Sequence, residues 1–260
     1  MIRTDLAMEA VEYAGQIPGV SVMDEEVIPG IKRVRVTVET EEGERAVGKK
    51  RGIYVTLEAP DLAQGDVELD ESCSKALAAE ITHMAGDALD GCVLVVGLGN
   101  RQVTPDALGP AVCDFVFVTR HMHEYAPEEI DKRIGVVSAI APGVLGITGI
   151  ETGEIVSGVV ESLKPSLVIA IDSLASRALE RVRTTVQVAN TGIAPGAGIG
   201  NKRKALDRES LGVPVLAIGV PLVVYASTIA QELMDTALKQ APIDLRINDK
   251  LQKVLAGLND

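Results

Sequence analysis

The chain has 260 residues, 47% apolar and 2% aromatic with no tryptophan, and its 37 acids against 25 Lys and Arg give a formal charge of -12. That size and apolar content suit one large α/β domain and exclude disorder as the main state. The acidic balance argues against a nucleic-acid binder, because phosphate backbones attract basic faces. Val, Ile, Leu and Ala must build the core, as buried parallel strands prefer. The three cysteines, Cys73, Cys92 and Cys113, are odd in number and lack CxxC spacing, so they read as reduced core thiols. The first fifteen residues carry acids and lack a signal peptide's apolar run, and no stretch approaches the roughly eighteen apolar residues of a membrane span. A cytoplasmic protein is expected.

In chain order, Leu6 to Ala14 predicts a short helix, followed by turns at Pro18-Gly19 and Pro29-Gly30. Ile31 to Thr40 alternates charged and apolar residues, the period of a half-buried strand, and Glu41-Glu42-Gly43 predicts a turn. Ile53 to Glu58 is a further strand. Asp61 to Glu68 reads as a loop. Asp70-Glu71-Ser72 leads a helix to about Leu89, with Ala76, Leu77, Ile81, Met84 and Ala85 at helical spacing. Val93 to Val96 is a buried strand broken by Gly97, Gly99 and Asn100, and Thr104-Pro105 opens a helix with Asp106 in its first turn. Val116 to Thr119 and Gly135 to Ile140 read as strands, the second running into a glycine-rich loop from Ala141 to Gly149. A loop of that length inside a compact α/β domain usually serves function. Glu154 to Leu163 predicts a helix that Pro165 stops. Ser166 to Ile171 is another buried strand, Asp172 follows it, and Leu174 to Val182 predicts a helix. Arg183 to Ala189 alternates as a strand. Thr191 to Lys204 is a second glycine-rich loop ending in Lys202-Arg203-Lys204. Val213 to Val220 is the last core strand, broken by Pro221, and Ser227 to Leu238 and Ala241 to Asp260 read as helices. The simplest account is one domain with a mainly parallel central sheet, a small β appendage over residues 31–58, a core over 92–238 and an outer helix over 241–260.

Two carboxylates, Asp106 and Asp172, fall at the carboxyl ends of central strands, where open α/β sheets form their ligand crevice. Carboxylates sharing a small, partly dry site repel, so one keeps a proton and the pair can act as acid and base on one water. The bland reading is that each acid serves a helix dipole or cap. Gly97-Leu98-Gly99-Asn100 invites a dinucleotide reading that fails on spacing, since the third glycine would fall at Gln102. These glycines instead let another backbone approach beneath the aspartate. His121 and His123 lack a cysteine or carboxylate at ligand spacing, so no metal is expected there. No G-x-S-x-G elbow surrounds Ser173. The Lys202 to Lys204 run is either a solvated face or a grip on an acidic group of a substrate.

At these residues the sequence resembles the germination protease family of endospore-forming bacteria. The matching blocks are Ile2-Arg-Thr-Asp-Leu-Ala7, Gly97-Leu-Gly-Asn100 with Val103-Thr-Pro-Asp-Ala-Leu-Gly-Pro110, Val118-Thr-Arg-His121, Ala141-Pro-Gly143 with Gly146-Ile-Thr-Gly-Ile-Glu-Thr152, Val168-Ile-Ala-Ile-Asp172 with Leu174-Ala-Ser-Arg177, and Gly198-Ile-Gly-Asn-Lys-Arg-Lys204. The resemblance implies an α/β, three-layer, phosphorylase/hydrolase-like fold. It implies an endopeptidase of atypical aspartic type that degrades small acid-soluble spore proteins in the spore core, with Asp106 and Asp172 catalytic and no cofactor. Gly99, Asn100, Gly149, Lys202 and Arg203 are expected to bind substrate. A tetrameric zymogen is also implied, activated by a cut near Asp5-Leu6, so that residues 1–5 would be the remainder of a pro-segment. The family's relation to the hydrogenase maturation peptidases, whose acids engage nickel, makes a metal-dependent peptidase the rival mechanism, and a non-catalytic binding member the rival of another class. Four departures from the family pattern stand out: the short segment before the cut, the short C-terminal region, Ala194 where His is common, and Tyr225 where Asp is common.

Overall fold

The computed structural model describes residues 4–15, 17–194, 205–230 and 233–234. In chain order its elements are α1 (Ala7–Ala14), β1 (Val20–Ile28), β2 (Ile31–Val38), α2 (Glu41–Val47), β3 (Gly52–Glu58), α3 (Val67–Ala85), β4 (Cys92–Gly97), α4 (Leu108–Phe115), α5 (Arg120–Tyr125), β5 (Val136–Ile140), α6 (Leu145–Thr148), α7 (Thr152–Leu163), β6 (Leu167–Ser176), β7 (Thr185–Ala189), α8 (Arg208–Leu211) and β8 (Val215–Val224). The strands form one eight-stranded sheet in the order β1-β2-β3-β7-β8-β6-β4-β5. Strands β8, β6, β4 and β5 run parallel. The N-terminal β appendage joins the same sheet through β7, as an antiparallel wing of β1, β2 and β3.

The apolar pattern explains the layering. Along β4, Val93 and Val95 join the cluster beneath α3 and α4, whereas Leu94 and Val96 join the cluster beneath α7 and α8. Both faces of the parallel strands are therefore covered, which is why they read as continuous apolar runs. On the α7 side, α1 covers the antiparallel wing through Leu6, Ala7 and Met8 against Val34, Val36, Val38 and Tyr54. The result is the three-layer α/β domain the sequence predicts.

Local chemistry corrects several boundaries. The turn expected at residues 41–43 is the start of α2, because the Thr40 side chain accepts from the Gly43 N–H and caps a helix there. Helix α3 begins at Val67, earlier than expected, since Asp66 accepts from the N–H groups of Glu68 and Leu69 at 2.9 and 3.2 Å. Residues 116–119 are not a strand; Thr119 donates to the Val137 carbonyl and leads into α5. The largest change concerns the helix expected over residues 174–182. Strand β6 runs on to Ser176, paired with β8, which itself continues past Pro221 to Val224. A register irregularity between Leu174 and Ala175 lies beside Pro221, which has no N–H to give the ladder. The tail helix expected over residues 241–260 lies outside the described residues.

Candidate active site

Strand β4 pairs with β5 on one side and β6 on the other, and the following helices take opposite faces, α4 on one and α7 on the other. The crevice at the carboxyl ends of β4 and β6 is therefore the switch point at which such sheets bind ligands. Strand β4 ends at Gly97, level with Ile171 of β6, and the Leu98 N–H closes the pairing on the Ile171 carbonyl at 2.8 Å. Asp172 is the next residue. It lies inside β6 rather than after it, yet at the point where β6 has outrun β4, and it is buried.

The chain returns to the same point with Asp106. After Leu98 it wraps around Asn100, whose N–H donates to both the Asp106 carbonyl at 2.9 Å and the Asp106 Oδ2 at 2.8 Å. Gly99, at φ +113°, makes this wrap possible, since a Cβ there would sit 2.0 Å from the Asp106 carbonyl oxygen. Gly109 presses the start of α4 against the pairing, and a Cβ on it would lie 2.5 Å from the Ile171 carbonyl oxygen. The glycine fingerprint thus serves close backbone approach, with Asp106 held by a short loop and Asp172 by the strand beside it.

Asp106, Asp172, Gly99 and Asn100 line one cavity of about 560 Å³. The Asp172 Oδ1 accepts from the Ser173 N–H at 2.8 Å. Gly149 does not line this cavity; it ends α6 with φ +70°, and from that loop Val144 and Thr152 form part of the wall. Lys202 and Arg203 lie outside the described residues. Ala194 lines the cavity, and Tyr225 opens the helical turn at residues 226–230. His123 sits on α5, its Nε2 3.0 Å from the Ile134 carbonyl oxygen. Among the described residues no group of three or more His, Cys, Asp or Glu is placed to hold a metal ion, and no helix is long and apolar enough to cross a membrane.

The same cavity contains the residue expected at the activating cut and two that motif reading missed, Lys49 and Gln187. Asp5 lines it, its N–H donating to the Ala175 carbonyl at 2.9 Å and its Oδ2 accepting from the Ala175 N–H at 2.8 Å. Leu6, across the expected cut, is fully buried. Lys49 and Gln187 are also in the wall, and both contact the Asp5 carbonyl. At the rim the Lys50 ammonium lies 2.6 Å from Asp207 Oδ2. Burial raises the Asp207 carboxyl, but Lys50 and the Ser210 donors outweigh it and hold the carboxyl below its ordinary range. Tyr54 donates to the Lys50 carbonyl at 2.8 Å, and burial pushes its hydroxyl up to about 12. No local motif marks Lys49 or Gln187, because their meaning arises from pairings between segments distant in the chain.

The germination protease family profile matches residues 2–259. The chain is 53% identical over 260 residues to the germination protease of Caldanaerobacter subterraneus subsp. tengcongensis, covering 99% of this chain and 80% of the relative. It is 49% identical to that of Clostridium tetani (96% and 77%) and 46% identical to that of Bacillus subtilis (95% and 70%). With the profile spanning nearly every residue and these identities sustained over most of each relative, the chain belongs to the germination protease family.

Proposed function

We propose that this peptidase is an endopeptidase of the spore core that begins the degradation of small acid-soluble spore proteins, with Asp106 and Asp172 activating water between them. The observation that carries the reading is that two carboxylates from separate segments line a single cavity at the sheet's switch point. In this mechanism one aspartate is ionised and takes a proton from water as the water attacks a peptide carbonyl. The other is protonated and gives its proton to the departing amine nitrogen. The Asn100 N–H positions the Asp106 carboxylate, and the strand position of Asp172 fixes its partner. The cavity is large enough to take several residues of an extended peptide, within the range of ligand-sized clefts.

Lys202 and Arg203 are proposed to receive the glutamate next to which family substrates are cut. Gly99 and Asn100 are proposed to present backbone to the substrate, and the activating cut to fall between Asp5 and Leu6. A homo-oligomer is the proposed assembly. It is supported by the protein's two phenylalanines, Phe115 and Phe117, which stand 89% and 64% exposed at the end of α4. The test is cleavage of a purified small acid-soluble spore protein by wild type, Asp106→Asn and Asp172→Asn. Each substitution should abolish cleavage while leaving circular dichroism unchanged, and substantial turnover by either variant removes the aspartate pair from the mechanism.

A further inference from the structure

The carbonyl of Asp5 is held inside the cavity by two side chains. Lys49 Nζ donates to it at 2.9 Å and Gln187 Nε2 at 3.2 Å. The same ammonium also reaches the Thr4 carbonyl at 3.0 Å, and the Gln187 Oε1 accepts from the Ala7 N–H at 2.7 Å. Gln187 thus spans Leu6, one end on the carbonyl of the peptide bond between residues 5 and 6 and the other on the N–H of the next peptide bond. Gln187 also lies in one register row with Asp172, since both are paired to Gly219 of β8 from opposite sides. With no side chain at Gly219, the floor between Gln187 and Asp172 is bare backbone, and a Cβ there would meet the Leu174 side chain at 2.4 Å. Asp5, Lys49, Gln187, Gly219, Asp106 and Asp172 all line the one cavity.

We propose that Lys49 and Gln187 are the donor pair that binds the carbonyl oxygen of the peptide bond under attack, the Asp5 carbonyl standing where a substrate carbonyl sits. The inference rests on the Asp106–Asp172 reading and adds to it the groups that receive the developing negative charge. As water adds to the carbonyl carbon, its proton passes to the ionised aspartate and the carbonyl electron pair moves onto oxygen. Lys49 and Gln187 donate hydrogen bonds to that oxygen. When the pair returns, the carbon–nitrogen bond breaks and the protonated aspartate supplies the nitrogen's proton. An ammonium and an amide already aimed at a carbonyl oxygen stabilise charge more than they stabilise the neutral ground state. Poor solvation pushes the Lys49 ammonium's pKa down, with the Asp5 and Glu9 carboxylates opposing the shift, so a newly formed oxyanion there gains an undershielded partner.

The competing role is purely structural, with Lys49 and Gln187 as anchors for residues 4–7. Turnover of a quenched fluorescent peptide copying residues 1–12 of this chain, supplied to the full-length protein, separates the two. Lys49→Met and Gln187→Leu should each lower kcat about a hundredfold, with KM little changed, and Lys49→Arg should recover part of the loss. Wild-type kcat in Lys49→Met, or faster turnover because a loosened N-terminal segment vacates the cavity, overturns the proposal. If Lys49→Met does not fold, full kcat in Gln187→Leu overturns it instead. Asp172→Asn is run alongside: substantial turnover in that variant overturns the aspartate pair itself, whereas a dead Asp172→Asn beside a fully active Gln187→Leu sinks only the donor pair.

Discussion

At position 99 the absence of a single methyl group decides whether Asp106 reaches the cavity. A Cβ there would sit 2.0 Å from the Asp106 carbonyl oxygen and 3.0 Å from its Oδ1, and the backbone is held at φ +113°, where L side chains are strained. Relief requires the 99–106 loop to move, which breaks the paired contacts from the Asn100 N–H to Asp106. Gly99→Ala should therefore lower peptide turnover about a hundredfold or more through misplacement of the aspartate. It should cost about 2 kcal/mol of stability in urea unfolding, and normal turnover in a folded Gly99→Ala protein would show that Asp106 need not be held this way. Asp207 gives a prediction in pH. It caps α8, accepting from the Ser210 N–H at 2.8 Å, and its carboxyl is held below its ordinary value in the folded state. A depressed folded-state value means that the carboxylate's contribution is fully present above about pH 4 and is lost as pH falls through the folded value. Asp207→Asn should therefore be less stable than wild type near pH 7, by about 1 kcal/mol, since Asn still caps but cannot pair with the largely exposed Lys50. The gap should close toward pH 3 in thermal melts, and a gap that widened on acidification would contradict the assignment.

Among the elements, α1 is the one whose position depends least on its own sequence. Its eight residues are too few to hold a helix alone. Fully buried Leu6 and Ala7 and the nearly buried Met8 anchor it. Glu9 is almost wholly buried and accepts from the N–H groups of Arg177 and Ala178 at 2.7 and 3.0 Å. Arg181 completes the clasp, joining Glu9, Glu12 and Glu58 with little of its own side chain exposed. Burial works against its charge, but the three carboxylates outweigh that and raise its pKa further. Arg181→Ala leaves buried Glu9 short of a cation and should cost about 3 kcal/mol in urea unfolding, with α1 amides exchanging faster than those of β6. An unaltered exchange pattern would mean that apolar packing alone seats the helix. The limits of sequence reading lie in this clasp. The Asp172 strand was legible because its apolar run is long, and the Asp106 turn because glycines and Thr-Pro punctuate it. The extension of β6 to Ser176 was not, because residues 174–182 have helical composition locally and only the pairing with β8 and the docking of Asp5 make them extended. For the same reason Lys49, lying just after α2, carries no local signal in the sequence although it lines the cavity.

For the whole molecule, the sheet divides the work. The parallel half brings Asp106 and Asp172 together, and the antiparallel wing brings Gln187 through β7 and Lys49 through the α2–β3 turn, so the cavity straddles the β6–β8–β7 junction. Neither half can build it alone, and unfolding of the wing should abolish turnover before the parallel strands open. The opposite side of the design is the exposed apolar tip after β4. Phe115 at 89% and Phe117 at 64% exposure stand in water where α4 ends, and Tyr125, the last residue of α5, is 80% exposed, so half of the six aromatic residues are in water. Scattered apolar residues on a surface are ordinary, but a chain so poor in aromatics has few to leave unburied, and aromatic residues are enriched at interfaces. With a formal charge of -12, copies of the chain repel at long range, so association through this tip needs short-range apolar burial and should strengthen as salt screens the charge. Light scattering should therefore find a multi-subunit mass for wild type that rises in occupancy between about 0.05 and 0.5 M salt as the screening length shortens. Phe115→Ser with Phe117→Ser should reduce that mass to a single subunit while peptide turnover per chain stays within about twofold, because both residues lie outside the cavity lining. An unchanged mass in the double variant would place the subunit interface elsewhere, and a loss of turnover on dissociation would mean that a neighbouring copy completes the site.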